Sequence, residues 1–430
     1  MMIQYFKQAW NLIRQEKLFS SIYIIGTGLS ITIVMVLSIV FYLKIANIYP
    51  ETNRDRLLII KSGMEKDTRG NINSSSLSYG VIEACFLPLE SAEAVTATQQ
   101  VGWRSNYIQP EGSKEQIVVE VRSVDNQFWT VFPFRFVDGK PFTEADFQSG
   151  IHTAVIVESL AKRLFGTTEV TGKQLSFNFK PYRISGVVKD ASFVTFRVYA
   201  QVYIPYTVFP DYKGFNGQGG SLGDMEAYLL APSKKEIEKV RQEAIDNIRK
   251  YNQTLTDMEF SVSGQPDRQW QAIFRGWSNA EPDFNQILLY YGLIFLILLL
   301  VPAVSLSGMT DSRMERRLAE MGVRRAFGAP VTTLIRQIIS ENFLFTVLGG
   351  LIGLLFSYLV ILLGRNWIMG IGDSYVVTPP EGTVLTPAML FNLPVFGIAL
   401  GVCFLLNLLS SLIPAWRAAR REIIFSLNAK

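Results

Sequence analysis

The sequence predicts a membrane α-helical protein with four transmembrane helices and an extracytoplasmic α+β domain of two lobes between the first two. Three observations predict it. Charges vanish from four stretches and are ordinary elsewhere. Lysine and arginine crowd alternate flanks of those stretches. A long segment of soluble composition separates the first stretch from the other three.

The chain has 430 residues, 49% hydrophobic and only 18% charged, against about 25% charged in a typical soluble domain. A bilayer core of about 30 Å needs roughly 20 mostly apolar residues as a helix. No charge occurs between Lys17 and Lys44, from Phe284 to Thr310, from Asn342 to Gly364, or from Gly382 to Trp416. Spans are therefore predicted at 20–44, 285–308, 336–364 and 387–414. The first is too long for the apolar core of a signal peptide, and no small-x-small cleavage pattern follows it. It reads as an uncleaved anchor.

Orientation follows from basic residues in short flanking segments. Lys7, Arg14 and Lys17 precede the first span. Arg313, Arg316, Arg317, Arg324, Arg325 and Arg336 lie around the 309–335 segment between spans two and three. Arg417, Arg420, Arg421 and Lys430 follow the fourth. The 365–386 segment carries only Arg365, beside Asp373 and Glu381. Both termini and the 309–335 loop are thus predicted to be cytoplasmic, with 45–284 outside. Residues 1–19 place Met2, Phe6, Ala9 and Ile13 on one helical face. They form either an amphipathic helix on the cytoplasmic lipid surface or an extension of span one. The 415–430 tail is cytoplasmic. Thr386-Pro387 suits the opening of helix four, and Pro302, Pro394 and Pro414 should kink their helices.

In the outside segment, strand-like runs occur at 56–61, 95–101, 116–124, 154–157, 174–179, 182–188, 202–205 and 227–230. Helices are predicted at 158–165 and 233–251, the latter opening on a Ser233/Glu236 capping box. Gly-rich 214–223 is predicted to be a mobile loop. No catalytic constellation is visible. His152 is the only histidine, which removes most metal and proton-relay chemistry, and it reads as a surface or turn residue. Cys85 and Cys403 fall in different compartments and are expected to be inert thiols. Gly166–Lys173 has five residues between its glycines, and Gln174 follows the lysine. A phosphate loop needs four, then Ser or Thr after the lysine, so no nucleotide site is expected. The net charge of +4 is small for a nucleic-acid binder.

The most specific text is Glu320-Met321-Gly322-Val323-Arg324-Arg325-Ala326-Phe327-Gly328-Ala329, between a charged helix and the start of span three. It resembles the cytoplasmic signature of MacB/FtsX-type ABC transporter permeases, an Arg-Glu-Ile-Gly-x-Arg-Arg-Ala-x-Gly-Ala pattern. Position 319 departs from it, with Ala319 where the pattern has arginine. The tail Ile413-Pro414-Ala415-Trp416-Arg417-Ala418-Ala419 and the opening around Phe6–Ser30 are similar to the same family's ends. Val124–Trp129, Asp138–Phe142 and Ile184–Asp190 look like its landmarks in the outside domain.

The resemblance implies a type VII, mechanotransmission-type permease in the bacterial cytoplasmic (inner) membrane. It implies a MacB-like periplasmic core at 45–284 and no fused ATPase domain. ATP and Mg would be handled by a partner ATPase, with no cofactor or metal bound by this chain. Arg316, Arg317, Glu320, Gly322, Arg324, Arg325, Gly328 and Ala329 would form the coupling element on which that ATPase docks. Gly322 would allow close approach, and Gly328 would end the helix in a left-handed cap. Composition alone favours the reading that these basic residues anchor the loop to anionic lipid, and the motif match turns it toward ATPase docking. Further implied partners are a second permease chain, a periplasmic adaptor and an outer-membrane channel, with no nucleic acid. Export or efflux of a cargo is expected. An FtsX-like regulator of a cell-wall hydrolase and a lipoprotein-releasing permease are the alternatives.

Overall fold

The computed structural model describes residues 14–15, 17–100, 106–110, 116–213, 220–275, 281–294, 296–297, 300, 323, 327–328, 330–369, 394, 396–398, 400–402, 404–405 and 408–409. The chain divides into two compact units. One holds the residues before Leu43 together with the helix Val331–Met369, and the other holds Leu43–Phe284.

Two long helices, α1 (Lys17–Ile45), whose last three residues belong to the second unit, and Val331–Met369, each contain a stretch long and apolar enough to cross a bilayer, Ser20–Ile45 and Ile339–Gly364. These coincide with the predicted first and third spans. The second helix starts earlier than 336 and runs past 364, because nothing between Val331 and Met369 breaks it. Of the predicted second span, Phe284–Ile294 is an apolar helix. The fourth is described only at scattered helical positions between 394 and 409. The predicted 1–13 face, most of the 365–386 segment and the 415–430 tail lie outside the described residues.

The two long helices meet through glycine. A Cβ on Gly349 would sit 2.9 Å from Thr27 Cβ, and one on Gly353 2.6 Å from the Gly28 carbonyl. Gly349 and Gly353 stand four apart, the small-xxx-small spacing that lets apolar helices approach backbone to backbone. Thr32 Oγ1 lies 2.8 Å from the Gly28 carbonyl oxygen and 3.2 Å from that of Gly353, so its proton is shared across the contact. Tyr23 and Phe345 pack with ring centroids 5.1 Å apart.

The second unit is α+β. Its strands are β1 (Leu57–Ile60), β2 (Gly63–Asp67), β3 (Ile72–Leu77), β4 (Ala94–Gln100), β5 (Asn106–Pro110), β6 (Ile117–Val119), β7 (Val121–Val124), β8 (Phe136–Gly139), β9 (Thr153–Val157), β10 (Gln174–Phe177), β11 (Lys180–Val188), β12 (Val202–Pro205), β13 (Leu222–Gly223), β14 (Glu226–Leu230), β15 (Met258–Ser261) and β16 (Asp267–Arg268). The large sheet runs β16-β1-β14-β4-β7-β12-β9-β11-β10-β5-β6, with β8 beside β11, and the small one runs β13-β3-β2-β15. Two pairs, β9 with β11 and β7 with β12, are parallel and the rest antiparallel. Parallel pairing needs a crossover. For β9 and β11 it includes α2 (Glu158–Phe165), whose Leu160 and Ala161 are buried. β9 is buried at every position, which the run Ala154–Val157 after Thr153 allows. The longer helix α3 (Ile237–Asn252) buries Ile237, Val240, Ala244 and Ile248 at helical spacing. The last helix of this unit is α4 (Gln269–Phe274). The helix Val331–Met369 is α5.

Local expectations change in four places. The run 174–179 stops at Phe177, because Asn178 (φ 46°) and Phe179 (φ 67°) make the left-handed two-residue turn into β11. The run 116–124 breaks at Glu120 into β6 and β7, which take different neighbours. Helix 233–251 begins at Ile237. Ser233 Oγ is spent on the Glu236 carboxylate at 2.8 Å, so no capping box forms there. The box forms instead at Thr143 and Asp146, opening the short helix Glu144–Gln148. Finally, Leu222–Gly223 is strand, paired with β3, where a mobile loop was expected.

Candidate coupling site

Of the eight residues expected to form the coupling element, Gly328 is described. Arg316, Arg317, Glu320, Gly322, Arg324, Arg325 and Ala329 lie outside the described residues. Phe327 and Gly328 lie in a turn. Val323 is helical, and the Phe327 amide donates to its carbonyl at 3.1 Å. Gly328 then takes φ +86°, the left-handed conformation in which glycine ends helices. Open space surrounds the place where its Cβ would be. The Thr333 amide bonds the Pro330 carbonyl at 3.0 Å in the first turn of α5, and proline is favoured at such a helix start.

Phe327 is 89% exposed. A bare phenylalanine ring between arginine-bearing text and a glycine turn is the residue that sequence reasoning passed over. Little in the sequence marks it, because Val323 and Val331 stand four residues away on either side and let it read as part of an apolar helical face. Aromatic side chains are the commonest anchors of protein interfaces. From this turn α5 runs back along its glycine contact with α1. Glu341, one residue before the predicted uncharged stretch, is buried on α5.

The landmark segments of the outside unit build the fold. Asp125 accepts from Thr96 Oγ1 at 2.6 Å and from the Ala97 and Phe128 amides at 2.9 Å, joining β4 to the turn after β7. Burial pushes its carboxyl up to about 6, against these donors. Phe128 and Trp129 lie beside Phe134 and Tyr203 in an aromatic cluster. Asp138 accepts from the Val170 and Thr171 amides at 2.9 Å, and the Thr171 hydroxyl bond above all lowers its carboxyl. Gly139 has φ +65°, and a Cβ there would lie 2.3 Å from the Ser185 carbonyl. Asp190 accepts from the Ser159 amide at 3.1 Å at the start of α2.

The segment Gly166–Lys173 is a helix end and a turn. Gly166 caps α2 at φ 73°, and Lys173 lies over the Phe165 ring at 5.0 Å. His152 stacks on Tyr182 with centroids 4.7 Å apart, and burial lowers its imidazole. Cys85 is buried, which pushes its thiol up to about 12. Cys403 lies outside the described residues. Among the described residues, no cluster of three or more histidine, cysteine or acidic side chains is placed to hold a metal.

Comparison with known proteins adds two family matches. Residues 20–247 match the MacB-like periplasmic core domain, and residues 292–423 match the FtsX-like permease C-terminal domain. Among curated proteins, the chain is 24% identical to the uncharacterized ABC transporter permease YvrN of Bacillus subtilis, over 85% of this chain and 84% of that one. It is 24% identical to the pyoverdine export ATP-binding/permease protein PvdT of Pseudomonas savastanoi, over 71% of this chain but 42% of that one. The macrolide export ATP-binding/permease protein MacB of Wolinella succinogenes is 22% identical over 87% of this chain, which spans 52% of it. Among solved structures, the extracellular domain of the noncanonical ABC-type transporter YknZ from Gram-positive bacteria aligns at TM-score 0.33 and 18% identity, over 47% of this chain and all of that one.

Proposed function

Since the chain belongs to the MacB/FtsX-type family of ABC transporter permeases, we propose that it couples ATP hydrolysis by a partner ATPase subunit to movement of its outside domain. In this reading four spans cross the cytoplasmic membrane with both termini inside. The ATPase docks on Arg316, Arg317, Glu320, Gly322, Arg324, Arg325, Gly328 and Ala329, with Phe327 as its apolar anchor. ATP-driven closure of a permease pair then moves the outside domains. The chain itself carries no chemistry and holds no nucleotide.

The observation that carries this reading is the turn at Gly328. It presents an exposed phenylalanine beside basic text and leads at once into α5, which lies backbone to backbone on α1. A docked protein at that turn has a rigid helix pair to push on. Export is the proposed outcome, because PvdT and MacB are named for it. An adaptor and outer-membrane channel would complete the path in a double-membraned cell. Affinity purification of the full chain from its own membranes tests the reading. It should bring down a protein with nucleotide-binding motifs, and Arg324→Glu with Arg325→Glu should lose that protein while the chain still inserts. Undiminished recovery with the double variant would sink the assignment.

A further inference from the structure

The last turn of a helix leaves carbonyl oxygens without partners, and water ordinarily satisfies them at an exposed end. At the end of α1, side chains from the outside domain take them instead. Arg54, 3% exposed, donates through Nη1 to the Leu43 carbonyl at 2.7 Å and the Ala46 carbonyl at 2.9 Å. Its Nε bonds Glu51 Oε2 at 2.6 Å. Gln269, the first residue of α4, donates through Nε2 to the Lys44 carbonyl at 2.9 Å.

These two residues lie far apart in sequence. Arg54 precedes β1, the first strand of the domain, and Gln269 follows β16, the last. Those strands pair with each other, Leu58 opposite Arg268 and Ile59 opposite Asp267. Just beyond α4, Arg275 closes a buried ion pair with Asp267, Nη2 to Oδ1 at 2.9 Å, and donates to the Ser263 carbonyl at 2.8 Å. Lys61, just past β1, donates to the Ala272 carbonyl of α4. Entry and exit of the domain are thus fastened to one another and to the end of α1.

We propose that Arg54 and Gln269 are the joint through which displacement of α1 enters the outside domain. They are positioning residues, and the inference rests on the function proposed above. Stability alone does not account for the arrangement. A guanidinium is costly to bury, and each buried polar group left without a partner costs stability. Here Glu51 Oε1 and Gln269 Oε1 are both buried with no hydrogen-bond partner. What the joint does supply is geometry. Three carbonyls of one turn are held from both ends of the domain, so the Leu43–Ala46 turn cannot slide or rotate without moving β1 and β16 together.

Gln269→Leu separates the two roles. It removes one hydrogen bond, to the Lys44 carbonyl, together with one unpartnered buried acceptor, so the two effects offset and any fall in stability should be small. Arg54→Lys keeps a cation for Glu51 but cannot reach both carbonyls. The experiment measures amide hydrogen exchange on the full chain in nanodiscs with its co-purified ATPase, before and after ATP with vanadate. In the wild type the nucleotide should change exchange in β1 and β16 by about tenfold. Both variants should bind the ATPase and hydrolyse ATP like the wild type, yet lose most of that change, and the Gln269→Leu result decides where Arg54→Lys lowers the melting temperature. Variants that respond fully would overturn the joint alone. A wild-type chain that recovers no ATPase, or shows no response with a working one, would overturn the proposed function and the joint with it.

Discussion

Gly353 touches Gly28 so closely that a Cβ on the first would lie 2.6 Å from the carbonyl oxygen of the second. No side chain separates α1 from α5 at this point. The contact makes the two helices one mechanical piece, and it depends on residues too small to be seen as important by hydropathy.

Gly353→Leu should therefore force the helices apart. Overpacking of this kind costs about 1–3 kcal/mol or more, which a thermal aggregation midpoint of the detergent-solubilised chain would read as a clear drop. Thr32→Val keeps the shape and removes one shared hydroxyl bond. It should cost only about 0.6 kcal/mol, the average for such bonds between membrane helices. Equal stability of Gly353→Leu and wild type would rule out this packing.

Asp267 and Arg275 are fully buried. Removing one partner strands the other charge, so Asp267→Asn should destabilise the outside unit by about 3–5 kcal/mol. Asp267→Leu combined with Arg275→Met should recover most of that loss. Urea unfolding of the full chain followed by tryptophan fluorescence is the measurement, since Trp270 packs on Phe284 next to the pair.

Asp125 gives a pH dependence of unusual sign. Its carboxyl titrates near 6 in the fold and near 3.9 when unfolded. Between those values the native state keeps a proton that the unfolded chain has lost. Its contribution is full below about 4 and is lost as pH rises through about 6, on the order of 3 kcal/mol in all. Acids held down by hydrogen bonds, such as Asp138 and Asp146, act in the opposite direction. The difference between wild type and Asp125→Asn, melted at a series of pH values from 4 to 7, isolates the Asp125 part. A difference independent of pH would contradict it.

Phe327→Ala tests the exposed anchor. An exposed ring contributes little to folding, so stability should stay within about 0.5 kcal/mol. Loss of an interface anchor costs about 2 kcal/mol or more, so ATPase recovery in pull-downs should fall at least tenfold. Unchanged recovery would remove Phe327 from the docking surface.

The fold was most legible where one physical term dominates. The uncharged runs gave α1 and α5, and alternating or continuous apolar runs gave β1, β9, β12 and β14. Polar strands were missed. β2 reads Gly-Met-Glu-Lys-Asp and β3 Ile-Asn-Ser-Ser-Ser-Leu, and both hold their places through pairing rather than burial. The Ser233/Glu236 pattern misled because its two side chains bond each other. At the coupling turn the charges stood out and Phe327 did not. The joint at Arg54 and Gln269 was invisible, because its partners are backbone carbonyls that carry no residue-type signal and its two halves lie at opposite ends of the domain.

The central claim is that one face of the membrane receives force at 309–335 and the other uses it in 45–284. Cysteine labelling tests this most directly. In a chain with Cys85→Ala and Cys403→Ala, Phe327→Cys and Lys235→Cys replace exposed side chains of the two regions. A membrane-impermeant maleimide added to intact spheroplasts should label Lys235→Cys and leave Phe327→Cys untouched until the membrane is opened. Labelling of both from outside, or of neither, would put the two regions on one side and contradict the account.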